Sequence, residues 1–346
     1  MLGRGENFAN PQLLDQTERD LAGWTADFTM ITWNPPWLLS LLLPFTLISF
    51  QRAAWLWLLF NVGLIFAGAV LVWLTYAKEE QTRRRFWLIV PFAFLFFPPV
   101  SGVILGQVNI LVFFGLALFL YLEDRNHLFS GAAALALTTI KPHLVYVTLP
   151  ILVLQALYRR KWRFIVGLAL PVVVLTLFVF VLRPTFLGEY FQTTNGGNLL
   201  GWQTPTIGGI LDATFGWQWT KLMGLIILPV MIVWWWISKQ ELKTAQLVQI
   251  TLIISVMTAP FGWTYDQIVL LIPLLQIVVW VIDGRYLQIE RVALLASLVV
   301  LYAMIWFARI QIESEVEMFW IPIAIGVVYT WAFWRRENRE LELVVS

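Results

Sequence analysis

Lys141-Pro142-His143 stands inside a long apolar stretch with no other charge between Leu128 and Tyr158. An ammonium near hydrocarbon is costly unless it faces water or an anion. Two readings are open for Lys141: a ligand for an anion such as a phosphate, or a lysine that snorkels its head to the interface from a helix end. Pro142 stops the helix there and so fixes the depth of the ammonium. His143 can donate to the same anion or be a lone interfacial histidine. Gln107 and Asn109 open an apolar helix, where amides and free N–H groups suit a sugar or phosphate. Hydrogen bonding between helices uses the same amides. Asp266 ends an aromatic turn, Gly262-Trp263-Thr264-Tyr265, and can cap the following helix, orient an acceptor hydroxyl, or pair with Lys141. Asp15, Asp20 and Asp27 read as solvated loop acids that approach the site if the N-terminal segment folds over it.

The elements that position these groups follow from hydropathy. Of the 346 residues, 60% are hydrophobic and 13% charged, and mean hydropathy is +0.76. So much apolar surface suits a lipid environment, where a helix can be apolar all round. The expected fold is an all-α polytopic integral membrane protein. Apolar runs predict eleven spans: 54–75, 86–99, 103–122, 129–140, 143–157, 164–182, 219–238, 244–260, 267–282, 291–308 and 316–334. The run 37–51 follows Asn34-Pro35-Pro36, carries Pro44, and reads as an outer interfacial helix within an N-terminal segment, 1–53. The bundle then runs over 54–346 with one long outer loop, 183–218. Trp37, Trp162 and Trp219 mark ends of apolar runs, as an interfacial aromatic belt requires.

Alternating the loops puts sixteen of the 23 lysines and arginines on one side, in 76–85, 123–128, 158–163, 239–243, 283–291 and 335–346. Six lie on the other side and Arg52 is unassigned. Cations favour the cytoplasmic side, so the C-terminus is expected inside and the amide- and proline-bearing turns outside, in the plasma membrane. Those turns include Asn195-Gly196-Gly197-Asn198 and Thr204-Pro205-Thr206.

A net charge of +2 without a basic stripe argues against nucleic acid. With no cysteine there is no disulfide, thiolate metal site or thiol nucleophile. Glycine-rich nucleotide loops and His/carboxylate clusters of metal-ligand spacing are also missing. No cofactor is indicated, although a divalent cation is compatible.

At these residues the chain resembles the polyprenol-phosphate-sugar-dependent glycosyltransferases of the GT-C superfamily, and is most similar to glycosyltransferase family 87. The likeness runs through Gly5-Glu6-Asn7-Phe8-Ala9-Asn10-Pro11, Asn34-Pro35-Pro36-Trp37, Gly106-Gln107-x-Asn109, Ile140-Lys141-Pro142-His143, Thr204-Pro205-Thr206 and Gly262-Trp263-x-x-Asp266. It implies a membrane hexosyltransferase that moves a hexose, such as mannose, from a polyprenyl-phosphate sugar to the hydroxyl of a glycan or glycolipid acceptor, with inversion. Lys141 and His143 would bind the leaving phosphate; Gln107, Asn109, Asp266, Thr204 and Trp263 would bind donor or acceptor. The family's base is an aspartate after a first transmembrane helix, and the match implies that both lie upstream of Met1. A transporter or lipid flippase is the rival reading, and a non-catalytic member lacking the base is another. A transporter predicts charges along a path through the spans and a repeat between the halves; neither is visible.

Overall fold

The computed structural model describes residues 10–23, 25, 33–195, 201–238, 242–284 and 286–345. Residues 5–9 of the first motif, Asp27, Gly196-Gly197-Asn198, Lys239 and Arg285 lie outside the described residues. The chain is an all-α polytopic membrane protein, with no strand among the described residues. Among the described residues, six helices are long and apolar enough to cross a bilayer: Phe50–Tyr76, Trp162–Leu182, Gln218–Ser238, Thr264–Ile282, Gln288–Gln311 and Val316–Arg339. At about 1.5 Å per residue each covers most or all of about 30 Å of hydrocarbon. The pair Phe86–Phe94 and Phe97–Ile104, bent by 68°, makes a seventh.

The difference from eleven comes from where the chain breaks. The expected spans 86–99 and 103–122 part near Val100; the structure breaks instead at Leu95-Phe96 and again at 105–108. Pro98 occupies the first turn of Phe97–Ile104, where a missing N–H costs nothing, so a new helix starts there. Leu128–Ile140, Thr148–Tyr158 and Thr244–Thr258 are shorter apolar helices. Ahead of the bundle, Leu38–Leu47 is a ten-residue helix, α in its first half and 3₁₀ in its second. Trp162 and Trp219 are exposed as a belt requires, but Trp37 is 5% exposed and packs into the core.

Thr264–Ile282 is the hub, with 89% of its apolar window buried inside the protein. Phe50–Tyr76 and Asn109–Asp124 pack alongside each other. They run in the same direction, since Trp57 touches Gly106, Gly68 faces the Phe113 ring and Lys78 pairs with Asp124 at 2.7 Å. That last pair joins the turns after 76 and before 128. Phe119, Glu123, Gln155, Lys161 and Thr244 line a common cavity at the same end, and Glu290 pairs with Arg335. The cationic turns therefore share one end of the bundle, and Gln107, Lys141 and Asp266 share the other.

The segment 183–218, expected as a loop, is largely helical where described, with Phe186–Asn195 and Ile207–Phe215. Arg183 donates to both carboxylate oxygens of Glu189, at 2.9 and 2.7 Å. Burial pushes the Glu189 carboxyl up, but hydrogen bonds from Arg183 and Thr185 outweigh it and hold the group below its ordinary value.

Candidate functional site

Three chain breaks build the site. A residue before proline avoids the α region, so Lys141 leaves the 3₁₀ turn Ala136–Ile140 with φ −130° and ψ 73°. Its side chain, 7% exposed, is thrown into the bundle. Gly106, at φ +61°, ends the run from Phe97–Ile104, and after it Gln107 precedes the helix Asn109–Asp124. At Trp263 the backbone is extended and the 3₁₀ turn Thr264–Leu270 begins.

Asp266 performs two tasks. Its Oδ2 accepts the backbone N–H of Trp263 at 3.2 Å, which is the capping role. Its Oδ1 accepts from Lys141 Nζ at 2.7 Å, with the Asp266 side chain 2% exposed. Lys141 is thus a buried ion-pair partner and does not snorkel. Gln107 Oε1 lies 3.4 Å from the same ammonium. His143 Nε2 is 3.8 Å from Asp266 Oδ2, too far for a hydrogen bond, and has no other hydrogen-bond partner among the described residues. Asn109 donates its amide to the Tyr265 carbonyl, while its buried Oδ1 has no hydrogen-bond partner among the described residues.

Aromatic rings close a circuit around this pair. Lys141 Nζ sits 4.8 Å from the centre of the Tyr265 ring, an attractive cation–π geometry. Tyr265 stacks on Trp263 at 5.9 Å, and Trp263 meets Trp202 at 5.0 Å. Trp202 meets Phe261 at 6.0 Å, and Phe261 lies 4.4 Å from His143. The circuit thus returns to Asp266.

Of the residues the sequence singled out, the structure brings Gln107, Asn109, Lys141, His143, Trp263 and Asp266 together. Thr204 is fully buried and engaged locally, its hydroxyl 3.2 Å from that of Thr206. Thr206 in turn caps Ile207–Phe215 by accepting from Gly209 N. Among the described residues no three His, Cys, Asp or Glu side chains converge to hold a metal ion.

Several neighbours were not anticipated. Glu315 Oε2 accepts from Thr264 N at 2.9 Å and Thr264 Oγ1 at 2.6 Å, and its Oε1 pairs with Arg309 at 3.2 Å, which ties the aromatic turn down. Trp202 and Lys221 were also missed. The signal for Lys221 was a lysine bounded by Trp219 and Leu222 with Asp212 nine residues upstream; for Glu315, 51 residues from Thr264, there was none.

The glycosyltransferase family 87 model matches residues 32–260, about two thirds of the chain. The chain belongs to glycosyltransferase family 87. No curated protein and no solved structure matches it. As a family 87 member it is a membrane glycosyltransferase by class. The matched stretch contains Gln107, Asn109, Lys141, His143, Trp202 and Lys221, whereas Trp263 and Asp266 lie just past its end. The ion pair joins the two parts: the matched region supplies the cation, and the hub helix beyond it supplies the carboxylate.

Proposed function

We propose that this family 87 glycosyltransferase moves a hexose from a polyprenyl-phosphate donor to a hydroxyl of a glycan or glycolipid acceptor, on the extracytoplasmic face of the plasma membrane, with inversion at the anomeric carbon. The observation that carries this reading is the buried Lys141–Asp266 pair, set among aromatic rings at the end of the bundle away from the cationic turns. That charge asymmetry supports a cytoplasmic C-terminus.

In this mechanism the acceptor oxygen attacks the anomeric carbon as the bond to the lipid phosphate breaks. Negative charge grows on the phosphate, and a fixed cation in a low-dielectric site lowers the barrier most when it is already in place. Lys141 has that position, and Asp266 keeps it there until the anion arrives. His143 adjoins on the other carboxylate oxygen and supplies a further donor. Gln107, the buried Asn109 Oδ1 and Trp263 orient the sugar, and Thr204 supports the segment carrying Trp202. Asp266 and Glu315 are each committed to a cation and to backbone N–H groups, so we place the proton-accepting role on a carboxylate outside this cluster. Against the transporter reading, the buried charged residues among those described are Lys141, Glu189, Lys221, Asp266 and Glu290. All lie at helix ends or turns, not along a path through the spans.

The test is transfer of labelled hexose from polyprenyl phosphate in membranes carrying the wild type or Lys141→Ala. Loss of transfer in a variant still inserted at wild-type level supports the reading. Near-normal transfer by Lys141→Ala removes Lys141 from the mechanism. A wild type that neither binds nor uses a polyprenyl-phosphate hexose overturns the whole assignment.

A further inference from the structure

Trp202 is the one member of the aromatic circuit that comes from the segment between the spans Trp162–Leu182 and Gln218–Ser238; the others stand on the turns that carry Lys141 and Asp266. It also bridges the two arms of the circuit, touching Trp263 on one side and Phe261 on the other. Trp202 is half-buried and also meets Trp33 at 5.0 Å, so the surrounding rings select its rotamer, but they keep it only while the main chain that carries it stays in place. Lys221 holds that main chain. It is 1% exposed, and its Nζ donates to the Trp202 carbonyl at 2.7 Å and pairs with Asp212 at 2.7 Å. A cation buried this deeply is costly unless it is paired and hydrogen-bonded, and both partners face it. The carboxylate cancels its charge, so the arrangement fixes a position without adding a cation to the site.

The surroundings leave this clamp little slack. A Cβ on Gly208 would come 2.7 Å from the Thr220 carbonyl and 2.8 Å from Lys221 Cα, so the turn carrying Lys221 lies directly on the start of Ile207–Phe215. Thr220 Oγ1 lies 2.9 Å from the Gly208 carbonyl and 2.6 Å from that of Trp217, so its one proton is shared between the helix start and its own turn.

We propose that Lys221 is a positioning residue: by holding the Trp202 carbonyl it sets the Trp202 indole against Trp263 as one wall of a cleft that stacks on the pyranose ring of the sugar substrate. This rests on the transferase reading above and goes beyond it, by naming what recognises the sugar apart from its phosphate. A pyranose presents a face of C–H groups with small positive charge, and an indole face carries the complementary negative quadrupole. Lys141 binds at the phosphate end, and the Tyr265 and Trp263 rings lead from it to Trp202. The hexose would occupy that side, one glycosidic bond from the phosphorus.

The experiment compares binding of a short polyprenyl methyl phosphate with that of the same lipid phosphodiester carrying a hexose in place of the methyl group, so that both have one negative charge, by calorimetric titration of the purified full chain in detergent. In the wild type the hexose should tighten binding about tenfold. Trp202→Ala, which leaves the clamp intact, should erase that increment while affinity for the methyl diester stays. Lys221→Met should do the same; where the unpaired Asp212 impairs folding, Lys221→Met/Asp212→Asn removes both charges and still frees the carbonyl. A folded clamp variant, or Trp202→Ala, that keeps the full hexose increment overturns the proposal, as does a wild type with no increment. Failure of the wild type to bind either lipid overturns the transferase reading itself, which is a different result from a lost hexose increment.

Discussion

Asp266 holds Lys141 at 2.7 Å across 125 residues of sequence, with both side chains all but sealed from solvent. The carboxylate also receives the Trp263 N–H, so the pair and the aromatic turn stand or fall together. A buried ion pair is a poor source of net stability, yet breaking one is expensive because a lone charge stays behind. Asp266→Ala should therefore destabilise the protein by about 3–5 kcal/mol. Lys141→Met/Asp266→Asn, with no net charge left and the capping oxygen retained, should recover much of that loss. Thermal unfolding of the purified variants checks it; a double variant no more stable than Asp266→Ala would mean the pair is not what the turn depends on.

How much of this was visible beforehand depends on the kind of signal. Lys141 and Asp266 announced themselves as isolated charges in apolar surroundings, and pairing with Lys141 was one of the roles open for Asp266. Which role it would take was undecidable, because capping and pairing use different oxygens of one carboxylate and the residue does both. The helical class followed from hydropathy, but span boundaries did not. Pro98-Pro99 reads as the tail of one apolar run, whereas in the structure it opens a new helix at a 68° bend. The segment 183–218 was read as a loop from its Gly, Asn and Thr content, and that reading hid the helix Ile207–Phe215 and with it the Asp212–Lys221 clamp. Residues such as Glu315, whose partner Thr264 is distant in sequence, leave no local trace.

Two glycines test the packing with opposite signs. A Cβ on Gly209 would lie 2.0 Å from the Thr204 carbonyl oxygen, on the turn capped by Thr206. Gly209→Ala must move backbone and should cost at least about 1–3 kcal/mol. Gly188, on the exposed side of the helix Phe186–Asn195, meets nothing within 4 Å. Gly188→Ala should be neutral or stabilise by up to about 1 kcal/mol, since alanine loses less backbone freedom in a helix. Melting temperatures of the two variants, measured side by side, should shift in opposite directions or differ clearly in size.

The sidedness proposed from the cationic turns has a direct readout. The natural chain has no cysteine, so a single introduced thiol reports alone. Gln218 and Arg159 are both exposed, at opposite ends of the bundle. Gln218→Cys should react with an impermeant maleimide in intact cells, and Arg159→Cys only after permeabilisation. The reverse pattern would put the Lys141 cluster on the cytoplasmic face and remove the case for a lipid-phosphate donor presented outside.

Proton uptake should accompany donor binding, and the charges at the site say which group takes the proton. Lys141 and Asp266 cancel as an ion pair. The other charged groups of the aromatic turn, Glu315 and Arg309, are paired with each other. A polyprenyl-phosphate hexose is a phosphodiester with one negative charge that does not titrate near neutrality. Placed here, that charge is uncompensated, and burying an unpaired charge is costly. His143 is the neighbour able to respond, because its Nε2 is buried, lacks a hydrogen-bond partner among the described residues and lies within 4 Å of Asp266. Only its protonated form donates from both ring nitrogens. Binding that favours the imidazolium must strengthen as pH falls from the pKa of His143 in the complex to its lower pKa in the ligand-free protein, by up to about tenfold per pH unit, and is flat outside that window. The dissociation constant of the donor, measured at about pH 6 and about pH 8, should therefore differ about tenfold or more in the wild type. In His143→Gln the two values should converge at the weaker one. A flat wild-type profile would show that Lys141 alone carries the phosphate, and a slope surviving in His143→Gln would move the proton to another group.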